Sequence, residues 1–249
     1  MHFKIITSFY NVEEWLKYTI RSMRVQDYKD FQCILTNDMS TDNSLQIARK
    51  ETEGDPRFLI IDNEEKKNTL HNNVNAINLT SSDEDVIVIL DGDDWFSSKG
   101  CLGALKKVYE KEKCWMTYGS YMEYPAGSRG KFARKCPQSV VDDNSYRENE
   151  WVYSHLKTFK YFLWKRLQEK DFMDPSTGDY FDFAQDLVYM FPLLEMAGPK
   201  AKYIEEILYV YNLRNPLNEH KVDHSRQLAV EQIIRNKQKY SLLEERGRC

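Results

Sequence analysis

Apolar positions in the first part of the chain follow two alternating rhythms. Short runs of Phe, Ile, Leu and Val at residues 3–8, 31–35, 57–61 and 86–90 predict four strands. Between them, apolar residues return at helical spacing: Val12, Leu16, Ile20 and Met23, then Leu45 and Ala48, then Leu70, Val74 and Ile77. Each set places one apolar stripe on a helix. Asn11 with Glu14 predicts a capping box for the first helix, and Ser40 an N-cap for the second. Strand and helix alternate, which predicts an α/β fold with a mostly parallel sheet and crossover helices.

Beyond residue 94 the rhythm changes. Leu102, Leu105 and Val108 mark a helix, residues 115–118 a strand, and residues 125–144 a loop-rich stretch without period. Residues 151–170 read as a long aromatic helix. Phe183, Leu187, Phe191 and Leu194 mark another, stopped by Gly198-Pro199. Residues 203–213 are strand-like, and 228–244 predict a terminal helix. No repeat or low-complexity linker divides the 249 residues, so one compact domain is expected.

Charge and composition narrow the function classes. A formal net charge of −4 argues against a generic nucleic-acid binder. No apolar run reaches the length of a membrane span, and no basic-then-apolar leader opens the chain. The five cysteines are scattered without a Cys-x-x-Cys pair, which predicts reduced thiols, no zinc site and a cytoplasmic location. Aromatic residues make up 13% of the chain, and Trp95 and Trp151 are candidates for stacking on a sugar face.

The chemistry-bearing residues fall where predicted strands end. Thr7, Ser8 and Tyr10 follow the first strand. Asn37, Asp38 and Ser40 follow the second, and Asp91-Gly92-Asp93-Asp94 follow the fourth. Ligands of open α/β sheets bind outside these carboxyl ends. Clustered carboxylates repel one another unless a cation or proton sits among them. Hard divalent ions suit such oxygen ligands, commonly together with substrate phosphates. Neither a dinucleotide fingerprint nor a phosphate-loop lysine motif is present. His155 and Lys157, within the aromatic stretch, are candidates to meet phosphate or acceptor.

Taken in order, Ser8-Phe9-Tyr10-Asn11, Asn37-Asp38-Met39-Ser40-Thr41-Asp42-Asn43-Ser44 and Leu90-Asp91-Gly92-Asp93-Asp94 resemble the signatures of glycosyltransferase family 2, whose members have the GT-A fold. Gln185-Asp186, the helix end at Gly198 and Tyr209-Val210-Tyr211-Asn212-Leu213-Arg214 extend the likeness to about residue 220. The resemblance implies an inverting transfer from a nucleotide-diphosphate sugar, most often a UDP-sugar, to a hydroxyl of a glycan, lipid or protein, with Mn²⁺ or Mg²⁺. It implies that Thr7, Tyr10 and Asp38 line base and ribose, with Ser8, Asn37 and Asn73 in the same nucleotide-binding set. Asp91 would lie near ribose and metal, Asp93 would be the principal metal ligand with Asp94 close by, and His220 a further ligand. Asp186 would be the general base, with Asp182 its rival; aromatic neighbours would raise the Asp186 pKa by desolvation. Residues 1–95 would form the nucleotide-binding half, 96–220 the acceptor half and 221–249 a helical extension.

The chain departs from the family pattern at three points. Asn37 stands for an acid and Met39 for a glycine. Asn72-Asn73 replaces Arg-Asn, leaving Lys66, Lys67 or His71 to supply the missing cation. These departures motivate an alternative, a degenerate GT-A domain that binds a nucleotide sugar or glycan without turnover.

Overall fold

In the computed structural model, residues 1–80, 82–216 and 224–244 are described. The first part of the chain runs β1 (Phe3–Phe9), α1 (Leu16–Arg24), β2 (Phe31–Asn37), α2 (Ser44–Thr52), β3 (Phe58–Asp62), α3 (Thr69–Thr80) and β4 (Val86–Ile89). There follow β5 (Trp95–Phe96), α4 (Cys101–Glu112), β6 (Met116–Tyr124), α5 (Gln138–Asp142), β7 (Ser154–Lys160), α6 (Tyr161–Trp164) and α7 (Glu169–Phe172). A small hairpin of β8 (Met173–Asp174) and β9 (Asp179–Tyr180) leads to α8 (Gln185–Ala197), β10 (Ala201–Asn212) and α9 (His224–Arg235).

Eight strands form one mixed sheet in the order β3-β2-β1-β4-β7-β6-β10-β5. β1, β2, β3 and β4 are parallel, as are β6 and β10; β7 runs antiparallel to both its neighbours, and β5 to β10. Alternation along the strands feeds two cores. Ile6, Ile34, Ile87 and Ile89 pack with α3 and α8, whereas Ile5, Cys33, Val86 and Val88 pack with α1 and α4. Cys33, Cys101, Cys114 and Cys136 are buried and unpaired by disulfides. Among the described residues, no helix is long and apolar enough to cross a membrane.

The structure corrects the expected long helix over 151–170. Residues 154–160 are strand β7, inserted between β4 and β6; the short helix Tyr161–Trp164 follows, and α7 begins at Glu169. Ladder partners on both edges override a pattern that periodicity alone leaves ambiguous. The terminal helix starts earlier and is shorter than expected, with Val230 and Ile234 buried. Neither predicted cap forms. α1 begins at Leu16 and α2 at Ser44, both without a side-chain cap bond. The capping groups instead join the two loops. Asn11 N donates to Ser40 Oγ (3.1 Å), Thr41 N to Asn11 Oδ1 (2.8 Å), and Val12 N to Ser44 Oγ (2.9 Å). These bonds fix the ends of β1 and β2 relative to each other at the mouth of a cleft.

Candidate active site

A cleft of about 650 Å³ lies across the carboxyl ends of the central strands. At one end Tyr10, Asp38, Ser8 and Asn73 line it; Asp91 and Asp93 form a shelf in its floor, and Asp186 borders it from α8. Residues from both halves of the sequence thus share one cavity.

The end of β2 is locked by short-range bonds. Asp38 is buried, and its Oδ1 accepts from Lys67 N (2.8 Å) and Asn63 Nδ2 (3.1 Å). Ser8 Oγ donates to Asn73 Oδ1 (2.8 Å). The Lys66 ammonium sits over the Tyr10 ring, 3.5 Å from its centroid. Met39 adopts φ 61°, so it holds the left-handed turn that glycine provides in the family pattern, at a strain of about 1 kcal/mol. Thr7 and Asn37 do not line the cleft. Thr7 is buried, and Asn37 is buried where its Nδ2 donates to Asp62 Oδ1 (2.8 Å) and its Oδ1 accepts from Ser40 N (3.1 Å). His71 stacks on Tyr180 at 4.4 Å instead of lining the cleft, and Trp95 packs against Tyr124 at 5.2 Å.

The shelf depends on Gly92. A Cβ there would lie 2.6 Å from Phe9 Cβ and 2.8 Å from Ser8 O, so only glycine lets the acidic turn press against β1. Tyr209 Oη lies 2.9 Å from Asp91 Oδ2 and 2.5 Å from Asp94 Oδ2. The Tyr209 hydroxyl thus donates into the space between the two carboxyls. Burial, followed by the charges of Asp93 and Asp91, pushes Asp94 well above the usual carboxylate range, and Asn212 N donates to its Oδ1 at 2.7 Å. Burial also raises Asp91; Lys157 opposes the rise and Asp186 adds to it. Asp93 Oδ2 accepts from Asn215 Nδ2 at 2.7 Å.

Among the described residues, no three His, Cys, Asp or Glu side chains converge as a metal cage. Asp91 and Asp93 are part-exposed to the cleft, whereas Asp94 is buried with both oxygens engaged. Two oxygen donors on an open shelf fit a hard cation whose remaining ligands come from a diphosphate and water. His220, the other expected ligand, lies outside the described residues.

β7 carries Lys157 and His155 on alternate residues. Lys157 is 1% exposed and ion-paired with Asp186, whose side chain is 40% exposed. Burial raises the Asp186 pKa, but Lys157, His155 and the Tyr189 hydroxyl (2.8 Å) outweigh it, leaving a net shift downward. The expected rise is therefore corrected. α8 begins at Gln185, so Asp182 stands outside the helix, half exposed and paired with Arg226 at 3.4 Å. His155 stacks on Tyr209 at 4.3 Å, and burial then Lys157 lower its pKa far below the ordinary histidine value.

Tyr209 and Asn212, which tie β10 to the shelf, entered the sequence reading only as part of the closing-strand likeness, with no role in the site, and Asn215 beyond them was not named. The signal for Tyr209 was its alternation with Tyr211 on that strand. Gln227 and Glu231, four apart on α9, also border the cleft and carry no motif.

The sequence and the fold have counterparts among known proteins. The chain belongs to glycosyl transferase family 2, whose sequence profile matches residues 4–180. It is 26% identical over 216 residues to the glycosyltransferase GlyA of Streptococcus pneumoniae serotype 4, covering 84% of this chain and 30% of that protein. Over 106 residues it is 31% identical to the teichoic acid poly(glycerol phosphate) polymerase of Staphylococcus epidermidis, covering 41% of this chain and 14% of the polymerase. The fold resembles S. aureus TarS 1-349 in complex with UDP-GlcNAc, with a TM-score of 0.67, 18% identity, and coverage of 94% of this chain and 65% of that one. It also resembles the mannosyltransferase PcManGT of Pyrobaculum calidifontis in complex with GDP-Man and Mn²⁺, with a TM-score of 0.63, 16% identity, and coverage of 96% and 66%. The fold is GT-A. The chain spans about a third of GlyA and just under two thirds of the TarS chain.

Proposed function

We propose that this chain is an inverting, divalent-metal-dependent transferase that moves a sugar from a UDP-sugar to an acceptor hydroxyl on a glycan, lipid or protein. The observation that carries the reading is a single cleft bordered by Asp38 and Tyr10, by Asp91 and Asp93, and by Asp186. Asp38 accepts a hydrogen bond from the base imide and Tyr10 packs on the base; Ser8 and Asn73 complete that end. Asp93, with Asp91, holds Mn²⁺ or Mg²⁺, which when bound neutralises charge developing on the leaving diphosphate. The acceptor oxygen forms a bond to the anomeric carbon as the bond from that carbon to the diphosphate oxygen breaks. The acceptor proton passes to Asp186 Oδ and UDP departs with the bonding pair. Asp186 is held ionised by Lys157, which keeps it ready to take that proton. Support for the donor comes from relatives whose structures hold UDP-GlcNAc or GDP-Man with Mn²⁺. The four buried, unpaired cysteines suit a reducing, cytoplasmic setting.

One observation favours a second reading, a nucleotide-sugar binder without turnover: the candidate base is already neutralised by Lys157. Incubating the chain with UDP-Glc, UDP-Gal, UDP-GlcNAc and GDP-Man plus Mn²⁺, and measuring nucleotide release, separates the two. Metal-dependent release of UDP supports the transferase. Tight binding without release from any donor supports the binder.

A further inference from the structure

We infer that the acceptor end of the cleft takes an uncharged, polyhydroxylated glycan and not a phosphate-bearing polymer. The inference rests on the transferase reading above. Beyond Asp186, the cleft is bordered by Glu123 on β6 and Glu231 on α9, two carboxylates from unrelated elements. Among the described residues, no Lys or Arg side chain lines the cavity. The nearest basic groups on β7 offer an anion nothing. Lys157 is buried and ion-paired with Asp186, and His155 is held neutral by burial and by Lys157.

The same surface suits sugar hydroxyls. Carboxylates accept hydrogen bonds from O–H donors, and charge-assisted bonds of this kind are the stronger ones. Trp151 and Phe132 border the cleft, and aromatic rings pair with the C–H faces of pyranose rings. A phosphodiester chain in this position would instead meet Glu123 together with Asp186 and Glu231, whose nearest cations, Lys157 and Arg235, are already engaged as their ion-pair partners, and like charges at close range are disfavoured.

The test uses the full chain with Mn²⁺ and whichever donor gives acceptor-free UDP release. Two acceptor pools are compared. One holds neutral tetrasaccharides of glucose, galactose, mannose and N-acetylglucosamine in α and β linkages; the other holds glycerol-phosphate oligomers of matched length. The neutral pool should raise UDP release at least tenfold, and the phosphate pool less than twofold. In the Glu123→Lys/Glu231→Lys variant the preference should shrink at least tenfold towards the phosphate pool. Stimulation by the phosphate oligomers equal to or above the neutral pool overturns the inference, as does stimulation by neither pool. An unchanged preference in the double variant also overturns it. Absence of UDP release with every donor and either pool brings down the transferase reading itself, and the acceptor inference with it.

Discussion

Lys157, buried in the middle of the central strand β7, forms an ion pair with Asp186 in the first turn of α8, and that carboxylate opens onto the cleft. The strand is walled in on both edges, so the lysine cannot reach water and must keep its partner. The two residues make unequal contributions. Removing Asp186 strands a buried cation, whereas removing Lys157 leaves a carboxylate that solvent can still reach.

A double-mutant cycle should expose this asymmetry. Asp186→Asn is expected to lower stability by about 1–3 kcal/mol, below the cost of breaking a fully buried pair because Asp186 is part-exposed. It should also reduce single-turnover transfer by about 10²–10⁴-fold. Adding Lys157→Met should recover most of the stability and none of the turnover. Urea melts and single-turnover assays at saturating donor read both. A turnover loss under tenfold moves the base role to another carboxylate.

The pair also sets a pH dependence. The folded-state pKa of Asp186 lies below its ordinary value, so its stabilising contribution is complete above about pH 4 and is lost as pH falls through the depressed value. In Lys157→Met the lowering charge is gone. The acid limb of the kcat profile should therefore move upward. An acid limb that stays in place in the variant would show that Lys157 does not tune the base.

At the base end, Asp38→Ala should weaken UMP and UDP alike by tenfold or more, because both carry the same imide. It also frees Lys67 N and Asn63, which Asp38 now anchors. Calorimetry on both nucleotides is the check, and equal affinity in wild type and variant would reduce Asp38 to a loop anchor.

Asp93→Ala should abolish the dependence of UDP affinity on Mn²⁺ while leaving the melting curve within about 1 kcal/mol of wild type. The side chain is part-exposed and gives up little packing. Retained metal-dependent affinity would remove Asp93 from the metal site.

Gly92→Ala places a methyl where Phe9 Cβ stands at 2.6 Å. Overpacking of this kind costs about 1–3 kcal/mol. UDP affinity should fall as well, since the shelf must shift away from β1. A variant with wild-type stability and affinity would mean that the turn relaxes freely.

The βα alternation up to residue 94 was legible because each element there is short, local and periodic; Leu70, Val74 and Ile77 are buried as their spacing required. β7 was not, because Ser154, Lys157 and Thr158 are polar residues buried by long-range pairing, and a window of sequence has no view of the neighbouring strands. The acidic turn announced itself by composition, but the division of labour within it did not. Asp94 is set apart from Asp91 and Asp93 by Tyr209, more than a hundred residues away. Likewise Met39 signals a lost glycine in sequence, yet the backbone keeps the glycine-like φ.

The placement of β7 has a consequence for how the cleft can change shape. β4 hands its ladder to a strand from the second half of the chain, and β5, at residues 95–96, crosses to the far edge to pair with β10. The wall that carries Tyr10 and Asp38 and the wall that carries Asp186 are therefore cross-stitched by backbone hydrogen bonds, and neither can swing on a linker. Width at the floor is a property of the sheet. Access must be governed above it, by side chains such as Lys66 over Tyr10 and by α9, which brings Gln227 and Glu231 to the rim.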